Sequence, residues 1–248
     1  MCCFSRPVQK VANTSIFARA GKDGRQFIVY SMTIAAKEEL AMILPIPTPK
    51  KADEDAVKFI SLKDYPAFFT DMQMGFYVPP PRMAGGLGSA TLSKGEPKLK
   101  VVDVGSFEAS FVPTVGDFAR LDERFRLPAG TWDELPTYKE FGFAVFKLKA
   151  GEKQIHPMAF DFPRRDKSYL FFPTVHIHDG KVHKSAKFDH ALYCQRSASE
   201  NVMRWTESQR PAHFFMNIDR TQGIVEKDRH VHRLFLRGRL TNRDTLLA

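Results

Sequence analysis

The chain has 248 residues, 43% hydrophobic and 26% charged, with a formal net charge of +9. That balance suits a folded protein and excludes a disordered one, and because no apolar run reaches about 18 residues there is no transmembrane segment. Three cysteines exclude a disulfide framework, and the opening MCCFSRPVQK lacks the apolar core of a signal peptide, so the reading is a cytoplasmic protein with reduced thiols.

The first candidate site is at the start. Removal of Met1 would leave Cys2 with its thiol and a free α-amine on one residue, the arrangement of N-terminal-nucleophile amidohydrolases. The same two atoms chelate copper or zinc, and acylation of Cys2 and Cys3 would instead give a lipid anchor. Cys3-Phe4-Ser5-Arg6-Pro7 departs from the glycine and apolar strand that follow the cysteine in glutamine amidotransferases.

Three strands follow, Ser15–Ala20, Arg25–Ala35 and Leu40–Ile46, the first pair joined by a turn at Gly21-Lys22-Asp23-Gly24. Pro45 and Pro47 predict an edge or terminal position for the third. Residues 53–70 read as a helix that Tyr65-Pro66 breaks in two. Residues 78–98, rich in Pro, Gly and Ser, are predicted as a flexible loop. Gly85, Gly86, Gly88 and Ser89 lack the lysine and hydroxyl of a Walker loop.

Lys98–Pro113 alternates as a strand, and helices are predicted after the caps Asp117 and Thr131, with Phe118, Leu121 and Phe125 on the first and Trp132, Leu135 and Tyr138 on the second. Phe141–Lys149 and Ile155–Phe162 are further strands. Ser168–His178 leads into the histidine-rich stretch 171–195, which holds His176, His178, His183, His190 and Cys194. Asp179-Gly180 predicts a two-residue hairpin turn that sets His178 across from Lys181, Ile177 from Val182 and His176 from His183. Three imidazoles would then converge on one face, a set able to bind copper or zinc. The same pattern also describes the solvated face of a hairpin buried through Val175, Ile177 and Val182, and Lys181 disfavours a dication.

Ser197-Ala198-Ser199-Glu200 is a capping box and predicts a helix to Gln209. His213–Ile218 is read as a strand, Gln222-Gly223 as a turn, and His230–Leu240 as a last strand that puts His230 and His232 on a face with Leu234 and Leu236.

The order of the N-terminal cysteine, Pro7-Val8, Ile16-Phe17-Ala18, Tyr30-Ser31-Met32 and Leu44-Pro45-Ile46-Pro47 resembles the N-terminal half of a bacterial family, domain of unknown function 2330. Val104-Gly105-Ser106-Phe107, Tyr138, Gly142-Phe143-Ala144-Val145-Phe146-Lys147-Leu148 and Ile155-His156-Pro157-Met158 are similar to its second half. The resemblance spans about residues 2–175 and implies that this length is one unit. It carries no activity.

The scattered helices among alternating strands predict an α+β fold, a largely antiparallel sheet with a few packed helices. The chain is read as a single domain over 1–248, with a strand-rich N-terminal region over 1–77, the loop 78–98 and a C-terminal region over 99–248. The functional reading is a transition-metal protein, with His176, His178, His183, His190, His230 and His232 as candidate ligands for copper or zinc and a hydrolase or oxidoreductase acting on a small molecule as the consequence. Two rivals stand beside it: a non-catalytic basic module that binds an acidic partner or nucleic acid, and an amidohydrolase with Cys2 as nucleophile. The basic residues are dispersed and no nucleic-acid-binding motif occurs, so the surface charge is the main support for the first rival.

Overall fold

Leu40–Ile46 is buried at all seven positions, which a strand achieves only when both of its faces are covered. The computed structural model describes residues 2–77, 107–128, 130–154, 156–178, 181–196 and 202–248, apart from the side chains of Cys2 and 152–154. The strands are β1 (Cys2–Phe4), β2 (Lys10–Ala20), β3 (Arg25–Ala36), β4 (Leu40–Ile46), β5 (Lys58–Ser61), β6 (Ala109–Val112), β7 (Gly142–Leu148) and β8 (Gly151–Gln154). They continue with β9 (Met158–Pro163), β10 (Leu170–Phe172), β11 (His176–Ile177), β12 (Ser185–Gln195), β13 (Thr206–Glu207), β14 (His232–Thr241) and β15 (Thr245–Leu247). The one α-helix among the described residues, α1, is Phe68–Met74.

The strands form two main sheets. One has five strands in the order β11-β1-β4-β7-β6. The other has eight: seven run β13-β14-β12-β2-β3-β9-β5, and β8 pairs with the far half of β3. A separate ribbon joins β10 to β15. Pairing is antiparallel except at β1–β11 and β12–β2.

Alternation along the strands sends one set of side chains between the two sheets. Ile16, Ile28, Tyr30, Phe160 and Leu192 of the larger sheet meet Phe4, Met42, Leu44 and Phe146 of the smaller one. The opposite faces are covered too. Phe17, Val29 and Tyr193 pack under α1 and the segment 212–231, while Ile43, Phe143 and Val145 pack under Phe118, Phe125 and Tyr138. The result is two stacked sheets with irregular chain laid over each outer face.

This corrects the α+β expectation: the described residues fold as a mostly β protein whose longest helix is seven residues. Within 53–70, residues 58–61 are extended against β9, and helix begins only beyond Pro66. The helices expected after Asp117 and Thr131 are short 3-10 turns, Val115–Arg120, Glu123–Phe125 and Pro136–Tyr138. Their aromatic residues cap the small sheet, so a spacing of three and four reflects tight turns on a flat surface. The helix predicted to reach Gln209 is replaced over its described residues by a turn and β13, and the strand at His213–Ile218 by 3-10 turns. β4 is no edge. It lies between β1 and β7, and β1 pairs only with Met42 and Ile43, so Pro45 falls past that pairing. The loop 78–98 lies outside the described residues.

Candidate functional site

β1 inserts beside β11 in parallel, with Cys2 opposite His176 and Cys3 opposite Ile177. The backbone of His176 is held by one side chain: Asn242 Oδ1 accepts from His176 N at 2.7 Å, and Asn242 Nδ2 donates to the carbonyls of His176 and His183. β12 supplies His190 from the larger sheet, and the two imidazoles meet Nε2 to Nε2 at 3.1 Å. Phe188 lies tilted against both rings, its centre 4.5 Å from that of His176 and 5.3 Å from that of His190. His178 lies 4.8 Å from His176 and 5.5 Å from Phe4, ring centre to ring centre.

Burial sets the protonation of this group. His176 is 8% exposed and His190 1%, and desolvation, followed by the neighbouring His190, pushes the His176 imidazole down to about 2. His190 is also lowered, again by burial first, although the Asp189 carboxylate 3.6 Å from its Nδ1 opposes the shift. Asp189 is in turn fixed by Asn13 N–H at 2.8 Å, which a bulge in β2 aims across the sheet from a residue with φ of 55°. Near neutral pH both rings are uncharged, and one Nε2–H donates to the other ring's lone pair.

The histidine hairpin and its metal set are corrected by this arrangement. Asp179-Gly180 lies outside the described residues, but β11 pairs with β1 and β12 with β2 and β14, so His176 and His183 are not opposed across a ladder. His230 Nδ1 donates to the Ser208 carbonyl at 2.7 Å. His232 is opposite Cys194 and 3.6 Å from Glu207, whereas His190 is opposite Leu236, four strand positions or about 13 Å farther along β14. The structure thus joins His176, His178 and His190, brings the His183 carbonyl to the same Asn242 amide as that of His176, and leaves His230 and His232 elsewhere. Among the described residues no group of three or more His, Cys, Asp or Glu is arranged to hold a metal ion. The copper or zinc set is therefore not assembled among the described residues. Cys2 occupies a strand position opposite His176.

β14 carries a second feature, for which the sequence reading has no counterpart. Leu234 and Leu236 pack inward, and Arg233, Phe235 and Arg237 alternate with them. Arg233 lies over Phe76 at 4.2 Å and over Phe235 at 4.6 Å, and Arg237 also lies over Phe235 at 4.2 Å. Arg239 continues the row and donates to Ser185 Oγ. Among the described residues β13 pairs only with His232 and Arg233, so Leu234–Thr241 has no described strand on its outer side. The signal is visible in RLFLRGR, an apolar and cationic alternation with period two.

No family model matches the chain, and no curated protein matches it. Among solved structures it is similar to baculovirus P35, at 13% identity and a TM-score of 0.53, with 97% of this chain and 96% of that one covered. Two other structures of baculovirus P35 match at 12% identity. A mutated form after caspase cleavage has a TM-score of 0.49, with 95% of this chain and 99% of that one covered. The complex with caspase-8 has 0.46, with 95% of each covered. The likeness to P35 is one of fold, and it extends over nearly the whole length of both chains.

Proposed function

We propose that this chain is a non-catalytic protein-binding module that takes an extended, acidic segment of a partner protein as an added strand along β14. The observation that carries this reading is the outer side of β14, where among the described residues no strand pairs with Leu234–Thr241 and the backbone adjoins the row Arg233, Phe235, Arg237 and Arg239. An edge strand offers main-chain hydrogen bonds to any extended peptide, and alternating side chains choose among them. Here the choice is for carboxylates, because Arg237 and Arg239 are exposed and the net charge of +9 adds long-range attraction. Baculovirus P35, which resembles this chain in fold, forms a complex with caspase-8. A caspase is accordingly the first partner protein to try.

The test is fluorescence anisotropy with a labelled ten-residue peptide alternating Glu and Val, together with an inhibition assay on caspase-8. The parent protein binds the peptide, Arg237→Glu/Arg239→Glu weakens binding at least about ten-fold, and N-methylation of alternate peptide nitrogens removes it. Binding that survives both changes would overturn the reading. Absence of peptide binding by the parent would leave the arginines with only the task of keeping a bare edge from pairing with other chains.

A further inference from the structure

At the end of the larger sheet where β2 turns into β3 and β12 finishes, a cavity of about 760 Å³ opens. That size lies within the usual range for small-molecule sites. Its lining is unequal in charge, with seven arginines and lysines against Asp23, Asp161 and Glu226. Two of the three carboxylates are already engaged: Asp161 pairs with Arg25, and Glu226 with both Arg19 and Arg229. Arg19 belongs to the wall. Its guanidinium donates to the carbonyls of Ile224, Gly223 and Ala20 and to Glu226, and it stacks on Phe27 at 4.8 Å.

What remains is cationic. Among the described residues Arg164 donates only to carbonyls, those of Gly24, Lys167 and Tyr169, and makes no salt bridge, with Asp166 acting on its charge from outside contact. Lys22 and Lys167 are exposed, and neither makes a salt bridge among the described residues. Lys167 is placed by packing. Gly24 has a φ of +73°, and a Cβ there would lie 2.3 Å from Lys167 Cε, so the glycine of the β2–β3 turn lets the lysine stem lie across it.

We propose that this cavity binds a small polyanion bearing phosphate groups, with Lys22, Lys167 and Arg164 as its cationic contacts. Three cations that make no salt bridge among the described residues, beside the single carboxylate of Asp23, favour a ligand with more than one negative charge, and a di- or triphosphate group places such charges a few ångströms apart. Arginine and lysine recognise phosphate oxygens through charge-assisted hydrogen bonds. The site is independent of the β14 edge: it adjoins Gln195 and Arg196 at one end of β12, whereas Arg237 and Arg239 face Asp189 and Lys187 toward the other.

The experiment is isothermal titration of the full chain with inorganic tripolyphosphate and, separately, with a nucleoside triphosphate, at low ionic strength. Both probes bind the parent, and Lys22→Glu/Lys167→Glu weakens each at least about ten-fold while its circular dichroism and melting curve match the parent. Tighter binding of the nucleotide identifies a nucleoside phosphate as the ligand; equal binding identifies the phosphate chain alone. Arg237→Glu/Arg239→Glu binds as the parent does. No binding by the parent, equal binding by the lysine variant, or loss in the β14 variant would each overturn the proposal. Should the charge reversal fail to fold, Lys22→Gln/Lys167→Gln is read in the same way.

Discussion

Two buried imidazoles sharing one proton give this protein a pH dependence whose sign can be worked out. An unfolded histidine titrates near 6.5, whereas His176 in the fold is pushed down to about 2 and His190 is also lowered. Between those values the unfolded chain binds protons that the native chain does not, so stability is complete above about pH 6.5 and falls as the solution is acidified. His176 contributes a slope of up to about 1.4 kcal/mol per pH unit within that window, and His190 acts in the same direction. Urea unfolding between pH 7.5 and 4.5 is expected to show this decline, and His176→Gln to flatten it. A parent curve level across that range would refute the buried neutral pair.

Gly142 is a second residue whose type is dictated by its neighbours. A Cβ there would lie 2.5 Å from the Phe111 ring and 2.8 Å from Thr48 Oγ1, closer than packed atoms approach. Gly142→Ala is expected to cost about 1–3 kcal/mol by forcing the Phe111 ring from its seat. A thermal melt of the variant is the check.

At the scale of elements, α1 is too short to be stable by itself and is held by what it covers. Phe68, Phe69 and Met72 are buried on the outer face of the larger sheet. Tyr65 makes the polar link: its hydroxyl donates to Asp71 Oδ2 at 2.7 Å and accepts from Asn217 N at 2.9 Å. Tyr65→Phe leaves both groups without that partner, for an expected loss of about 1–3 kcal/mol. Faster amide exchange at Asn217 than in the parent would locate the effect, and unchanged exchange there would show that the link does not hold the segment.

The elements also show how far periodicity can be read. β3, β7 and β14 are legible because alternation over seven or more residues fits a strand and little else. The covers of the small sheet are not. Phe118, Leu121 and Phe125 have the spacing of a helix face, but they are needed over Phe143 and Val145, a requirement set by residues some twenty positions later in the chain.

Across the whole molecule the chain start is structural. β1 is flanked by β11 and β4, Cys3 and Phe4 are 0% and 1% exposed, and Ser5 Oγ joins the Ala41 N–H to the Arg124 carbonyl. Terminal residues are usually dispensable. Here, deletion of residues 1–4 would remove the strand that joins β11 to β4 and strip Cys3 and Phe4 from two buried clusters. The truncated chain is expected to lose cooperative unfolding or to melt at least about 10 °C lower, which for a chain of this size corresponds to a few kcal/mol. A truncated chain as stable as the parent would refute the structural role of β1.

By itself the sequence determined the main strands and the excess of basic residues. These follow from local alternation and from composition, which neighbouring residues and solvent decide. Only the tertiary structure decided which strands pair and hence which histidines meet. His176 and His183 are close in the chain and have the spacing of facing hairpin positions, yet His176 pairs through β11 with the chain start and meets His190 from the other sheet. Strand partners are chosen by where both faces of each strand can be buried, a condition on the whole molecule that no seven-residue stretch contains.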